Sequence, residues 1–121
     1  TWLRPFFVYG KNTKRQTLYT LIKDLDKNKI NKLKVCGTLI RDFVPINFLC
    51  SVITKVIILN KDIGILNVCT GKGISIEKFV KKNIKNKNNL KKIDMSGKNK
   101  NNFEPKYFWG NKSKLNKILK D

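Results

Sequence analysis

Three groupings of residues in this sequence could do chemistry. Tyr19 and Lys23 form a Y-x-x-x-K, which on a helix puts a phenol and an ammonium one turn apart. Such an ammonium lowers the pKa of the phenol, which can then exchange a proton with a hydroxyl or carbonyl. With three tyrosines and 24 lysines among 121 residues, however, composition alone readily generates this spacing, and the pair is set aside. Gly71-Lys72-Gly73 is the only glycine-dense point. A phosphate-binding P-loop needs a glycine five residues before its Gly-Lys pair, and Leu66 stands there. The segment therefore reads as a strand-to-helix turn whose glycines permit positive φ. The third grouping, Arg41-Asp42-Phe43, is the most informative. Only three arginines occur beside 24 lysines, so a retained guanidinium points to a need for its planar fork, met by phosphate or by carboxylate. An ion pair with Asp42 or Asp24 would satisfy the same residue types.

Other chemistry is excluded by composition. There is no histidine, and Cys36, Cys50 and Cys69 form no C-x-x-C pair, so a zinc site of ordinary ligand type is not expected. Each cysteine lies in an apolar stretch and reads as a small buried hydrophobe in a reducing, cytoplasmic compartment. The formal charge of +19 invites a nucleic-acid or membrane reading. Yet the excess is lysine, accompanied by 15 asparagines, 14 isoleucines and no alanine, the residues that A/T-rich codons supply. Neither a specific nucleic-acid partner nor a membrane is expected. The longest apolar stretch, Phe43 to Leu59, is interrupted by Asn47, Ser51, Thr54 and Lys55 and is no membrane span.

The elements that must position these groups alternate between strand and helix. Leu3–Tyr9 is a dense apolar run ended by Gly10 and predicts a buried strand. Residues 11–16 are a polar loop, and Leu18, Leu21, Ile22 and Leu25 then recur at helical spacing behind Thr17, a plausible N-cap. Leu33–Cys36 predicts a short strand. Arg41–Ile46 is extended, with Pro45 at its end or on an edge. Asn47 is placed as cap of a helix that turns Leu49, Cys50, Ile53, Val56 and Ile57 inward. Ile63–Val68 predicts a second buried strand beside the first, and Ser75 caps a helix with Ile76, Phe79, Val80 and Ile84 on one face. A strand over Lys92–Met95, a long loop over 96–106, a core anchor in Tyr107, Phe108 and Trp109, and a last helix from Asn111 or Ser113 complete an α/β pattern. The 121 residues suffice for one domain, and a beginning at Thr1 reads as a domain cut from something longer.

Four segments, in order, resemble the second half of the extended short-chain dehydrogenases, the NAD-dependent nucleotide-sugar epimerases, dehydratases and reductases. WLRPFFVYGKNTKRQTLYTLIKDLDKNK resembles that family's strand ending in VYG, loop and helix. LKVCGTLIRDFVPINFLCSVITKVI resembles its strand, R-D-F-V segment and helix. GILNVCTGKGISIEKFV resembles its N-V-G-(S/T)-G-K-G-x-S turn, and EPKYFWGNKSKLNKIL its closing segment. Together they cover nearly the whole chain.

The resemblance implies a fold and a set of roles. Residues 1–121 would form a partial domain, the last strand or strands of a Rossmann-type sheet plus the small substrate-binding domain. The dinucleotide-binding half and the catalytic Tyr-x-x-x-Lys of the family lie before the segment that matches here, so no catalytic residue is assigned and no activity is expected of this part alone. Arg41 matches the arginine that contacts the diphosphate of the nucleotide sugar. Val35 and Cys36 match the strand passing the nucleobase, and Pro5, Phe6 and Phe7 the stretch near the nicotinamide. Phe7 departs from the asparagine many members have there, and Phe48 from an aspartate after R-D-F-V. NAD or NADP would serve the complete enzyme without binding this fragment alone. The partners implied are a nucleotide-diphosphate sugar, the missing dinucleotide-binding half and a second copy in the parent enzyme, at work in carbohydrate biosynthesis. The rival from another class is a small basic nucleic-acid-binding protein.

Overall fold

The apolar run from Leu3 to Tyr9 forms two strands rather than one in the computed structural model, which describes residues 1–13, 16–99 and 103–120. In chain order the elements are β1 (Trp2–Pro5), β2 (Phe7–Tyr9), α1 (Leu18–Asp26), β3 (Leu33–Lys34), β4 (Ile40–Arg41), β5 (Phe43–Pro45) and α2 (Ile46–Leu59). There follow β6 (Ile65–Val68), β7 (Ile74–Ser75), α3 (Ile76–Asn83), a 3-10 helix (Lys87–Lys92), β8 (Ile93–Asp94), β9 (Tyr107–Phe108) and α4 (Ser113–Lys120). The break between β1 and β2 falls at Phe6, just after Pro5, which has no N–H to donate. There the chain changes partners: Phe6 N donates to Val68 O at 3.1 Å, and Phe7 N to Asp42 O at 3.2 Å.

Parallel pairing dominates, as the alternating pattern requires. β1 pairs with β6, β2 with β5 and β3 with β8, all parallel. β4 lies between β7, antiparallel to it, and β9, parallel to it. Trp2–Pro5 and Ile65–Val68 are thus neighbours as expected, but β1 is not mostly buried: Trp2, Arg4 and Pro5 are exposed and only Leu3 is partly covered. Consecutive apolar residues promised cover on both faces, and within the described residues only one face has it.

Two apolar cores hold the strands. Ile22 and Leu25 of α1 meet Phe79 and Val80 of α3, with Ile84 and Ile93. The second core joins Val44, Val52, Leu66, Val68, Leu115 and Ile118, with Phe48, Leu49, Val56 and Leu59 packed against it. Each of the twelve buried side chains of the two cores contributes about 1.5–3 kcal/mol on full burial. Helix starts follow local chemistry where it exists. Thr17 caps α1 reciprocally with Thr20, and Ser75 Oγ accepts from Lys78 N at 3.1 Å.

α2 corrects two expectations. It begins at Ile46 behind Pro45, whose extended backbone serves as the N-cap without a side-chain bond, so Asn47 is not the cap. Its polar residues Asn47, Ser51, Thr54 and Lys55 form one narrow stripe at helical spacing, which leaves an apolar arc wider than the face that packs. The inward residue is Val52, with Phe48, Leu49, Val56 and Leu59, whereas Cys50, Ile53 and Ile57 are exposed. Cys36 is half-buried and Cys69 buried, so one of three cysteines meets the expectation of full burial. Tyr107, Phe108 and Trp109 are likewise exposed: β9 joins the sheet through its backbone, and its rings lie over the surface. Residues 14–15 and 100–102 of the two expected loops lie outside the described residues. The flanking 96–99 and 103–106 carry no helix or strand beyond the bridge Cys36–Ser96.

Candidate functional site

Parallel strands bind ligands at their carboxyl ends, where the connections leave a crevice. Here the carboxyl ends of β1 and β6 open on a cavity of about 480 Å³ lined by Arg4, Pro5, Phe6, Phe7, Asn67 and Phe108. Its wall is aromatic. The Phe6 and Phe108 rings lie 5.3 Å apart, and Phe7 meets Phe108 edge-on at 6.1 Å. Arg41 adjoins it from β4, the guanidinium carbon 5.6 Å from the Phe7 ring centroid.

Arg41 is 3% exposed, and among the described residues its guanidinium meets backbone carbonyls and one carboxylate. Nη1 donates to the carbonyls of Ile40 at 2.7 Å, Pro105 at 3.0 Å and Lys106 at 3.3 Å, and Nη2 donates to Glu104 Oε1 at 2.5 Å. Its carboxylate partner is therefore Glu104, 63 residues on, and neither Asp42 nor Asp24. Glu104 is the more exposed member of the pair.

Asp42, next in sequence, is fully buried. Oδ1 accepts from Thr70 N at 2.8 Å and Thr70 Oγ1 at 2.5 Å, and Oδ2 from Gly71 N at 2.9 Å and Gly110 N at 3.2 Å. The glycine turn thus does gather an anion, and the anion is this chain's own carboxylate. Gly71 takes φ +73°, where a side chain is strained. Gly110 lies so close to Cys69 that a Cβ on it would come within 2.5 Å of Sγ. Burial, reinforced by the Asp42 charge, pushes the Cys69 thiol up from its ordinary value, which leaves it a weak nucleophile.

The residues singled out from sequence therefore divide. Pro5, Phe6 and Phe7 line one cavity and Arg41 stands against it. Val35 and Cys36 stand apart from this cavity. Val35 N donates to Asp94 O at 2.8 Å and its carbonyl accepts from Gly97 N at 2.9 Å, while Cys36 Sγ lies 3.7 Å from Thr38 Oγ1. Arg4, Asn67 and Phe108 were missed. Asn67 stands opposite Arg4 in the β1–β6 register, a pairing that no local spacing reveals.

Tyr19 and Lys23 line a separate cavity of about 690 Å³ with the loop after β2 and Lys85. Lys23 Nζ lies 5.0 Å from the Tyr19 ring centroid and donates to Asn83 O at 2.6 Å. Burial, with Lys85 adding to it against Asp26, lowers the Lys23 pKa. The ammonium faces the ring and a helix-end carbonyl, an arrangement that supports packing. Among the described residues no cluster of three or more His, Cys, Asp or Glu side chains could hold a metal ion, and no helix is long and apolar enough to cross a membrane.

No protein-family model matches the chain, and no curated protein sequence matches it. Solved structures do. UDP-N-acetylglucosamine 4-epimerase from Methanobrevibacter ruminantium M1, in complex with UDP-N-acetylmuramic acid, matches 96% of this chain at TM-score 0.72 and 19% identity. TunA, an NAD dependent-NDP-hexosamine 5,6-dehydratase, matches 98% at TM-score 0.70 and 18% identity. Pal from Bacillus thuringiensis matches 98% at TM-score 0.66 and 20% identity. The chain spans 38% of the length of each of these three structures. What it shares with them is the fold of that part.

Proposed function

We propose that this chain is the substrate-binding part of an extended short-chain dehydrogenase acting on a nucleotide-diphosphate sugar. The observation that carries this reading is the cavity at the carboxyl ends of β1 and β6, with Pro5, Phe6 and Phe7 in its wall and the Arg41 guanidinium beside it. Arg41 is the diphosphate contact. A diphosphate presents anionic oxygens in place of the one, Glu104 Oε1, that now accepts from Nη2, so substrate binding exchanges one anion for another on the same guanidinium. Val35 and Cys36 pass the nucleobase, on the resemblance of their strand.

The residues present fit one end of an NAD(P) molecule only. Phe6, Phe7 and Phe108 give an apolar aromatic wall suited to a nicotinamide, whereas the sequence has no glycine-rich loop for the pyrophosphate. Bound there, the cofactor supplies the hydride donor or acceptor. The aromatic wall keeps water from that face, and Asp42 fixes the 69–71 turn and the entry to α4 around it. The dinucleotide-binding part and the proton-transferring Tyr-x-x-x-Lys belong to the remainder of such an enzyme, a homodimer on this reading.

The test is titration of the complete enzyme with UDP-, dTDP- and GDP-sugars and, separately, with NAD. Arg41→Lys should weaken nucleotide-sugar binding by roughly tenfold or more, the loss of one charge-assisted bond worth about 1.5–3 kcal/mol, and leave NAD binding unchanged. An unchanged dissociation constant with a lowered melting temperature would assign Arg41 to Glu104 and the 105–106 carbonyls alone.

A further inference from the structure

The cavity beside α1 has a different chemistry from the aromatic one. Its volume of about 690 Å³ falls in the range of small-molecule sites, about 300–1,000 Å³. Four of its eleven lining residues are lysines, Lys11, Lys23, Lys27 and Lys85, nearly double the share that 24 lysines in 121 residues give. They come from three places in the chain: the turn after β2, α1 with its C-cap, and the segment after α3. The Y-x-x-x-K spacing of α1 continues one turn further to Lys27, so Tyr19, Lys23 and Lys27 form one row along this wall.

Carboxylates of the chain do not answer this charge. Asp24 is the one carboxylate in the lining, and its ion pair is with Lys29, at 4.0 Å. Asp26 is turned to Lys85 N, Asn86 N and Asn89 Nδ2. Lys23 spends one N–H on Asn83 O and keeps two. Among the described residues the ammoniums of Lys11, Lys27 and Lys85 make no hydrogen bond or ion pair. Like charges one turn apart on a helix repel, as Lys23 and Lys27 are, and the Lys85 charge acts on Lys23 in the same sense. The attraction of a helix C-terminus for cations accounts for Lys23, which bonds a carbonyl there, but not for Lys11, which stands in the turn before α1. We infer that this cavity is an anion site for a small ligand of the phosphate class, with two or more negative charges on clustered oxygens. Lysine meets such a ligand as a mobile point charge with three donors, and the Tyr19 hydroxyl lines the same space. The inference goes beyond the function proposed above and does not rest on it, since no residue lines both cavities.

Titration of the full chain with inorganic pyrophosphate at about 0.15 M salt, followed by backbone amide shifts and by calorimetry, tests this. Binding should saturate at a single site, with the largest shifts at Lys11, Asn12, Lys23 and Lys27. Lys27→Gln combined with Lys85→Gln should weaken it by about tenfold or more. Lys91→Gln combined with Lys117→Gln removes the same charge from two exposed lysines outside the cavity and should change it by less than about twofold, as screening of distant charges requires. Neither Lys27 nor Lys85 bonds to the chain through its ammonium, so their double variant should melt at or above the temperature of the parent. Equal weakening by both double variants overturns the inference in favour of diffuse attraction to a lysine-rich surface. So does binding that never saturates, or a lowered melting temperature of the Lys27 and Lys85 variant, which would give those lysines a structural role. Shifts centred on Phe7 and Phe108 overturn it too, and assign the anion to Arg41 and the aromatic cavity. Saturable binding here leaves the nucleotide-sugar reading to its own titration, and its absence leaves that reading untouched.

Discussion

Asp42→Asn should be among the most damaging single-atom changes available in this chain. The carboxylate accepts four hydrogen bonds, from Thr70 N and Oγ1 on one oxygen and from Gly71 N and Gly110 N on the other. All four partners are donors in this arrangement, and three are backbone N–H groups that cannot reverse. Whichever oxygen becomes the amide NH2, it meets at least one backbone N–H donor to donor. The best case places the NH2 against Thr70, whose hydroxyl can turn to accept while its N–H is stranded. A stranded buried donor costs about 1–3 kcal/mol, and the surviving bonds fall from about 1.5–3 to about 0.5–1.5 kcal/mol each as their charge is lost. The sum is about 3–6 kcal/mol against a whole-domain stability of about 5–15 kcal/mol. For a chain of this length that corresponds to a fall in melting temperature of roughly 10–30 °C. Thr70→Ala removes the hydroxyl that donates to Asp42 and accepts from Lys72 N at 3.2 Å, leaves the three backbone donors to Asp42 in place, and should cost about 1–3 kcal/mol. Urea and thermal melts of both variants and the double variant measure this. Asp42→Asn within about 1 kcal/mol of the parent would show that the carboxylate's charge contributes little, and would refute the reasoning.

Three further outcomes are expected. If the proposed function holds, Glu104→Gln should strengthen nucleotide-sugar binding in the complete enzyme, measured by calorimetry, because it removes the anion that competes for Arg41 Nη2; weaker binding would place Glu104 on the side of the substrate. Titration with a chromogenic disulfide should modify Cys50 at once and Cys36 more slowly, and reach Cys69 only on unfolding, since its thiol is buried and held in the neutral form. Burial pushes the Asp26 carboxyl up, but hydrogen bonds from the Lys85 and Asn86 amides and from Asn89, together with the Lys23 charge, outweigh it and hold the pKa below the ordinary value. Its contribution is therefore complete above the unfolded value of about 3.9 and is lost as pH falls through the folded value. Asp26→Asn should lower stability at pH 7 and converge with the parent in stronger acid; curves that stay parallel across that range would contradict this.

Some of the fold was legible in the sequence because the deciding interactions are local. Thr17 and Ser75 bond to backbone three residues ahead, so type and position suffice to name them as caps. Ile22, Leu25, Phe79 and Val80 stand at helical spacing beside polar residues, and they are the buried ones. Ile65–Val68 and Trp2–Pro5 pair as their apolar runs suggested. Legibility failed where a pattern lacks contrast or where cover comes from elsewhere. α2 reads INFLCSVITKVIIL, whose single polar stripe of Asn47, Ser51, Thr54 and Lys55 leaves an apolar arc too wide to fix its rotation, so Cys50 and Ile57 were turned inward when Val52 is the central residue. Tyr107, Phe108 and Trp109 have the composition of a core anchor, but β9 is fastened by hydrogen bonds such as Ile40 N to Lys106 O at 2.9 Å, and these leave the rings outside.

The candidate site was only half legible for a related reason. Pro5, Phe6 and Phe7 are contiguous, so one strand end delivers all three to one cavity. Arg41 and Asp42 are also contiguous, which suggested that they satisfy each other. A junction between two short strands makes that unnecessary: Asp42 gathers amides of the 69–71 turn and of Gly110, while Arg41 gathers Glu104 and the carbonyls of 105 and 106. Three of the four donors to Asp42, and three of the four acceptors of Arg41, are backbone groups, present at nearly every position and invisible in a list of side chains. The dipeptide holds the glycine turn with one residue and the approach to β9 with the next, and both border the aromatic wall. Substitution at either residue should therefore register first as movement of those segments, and only through them as a change in what the cavity binds.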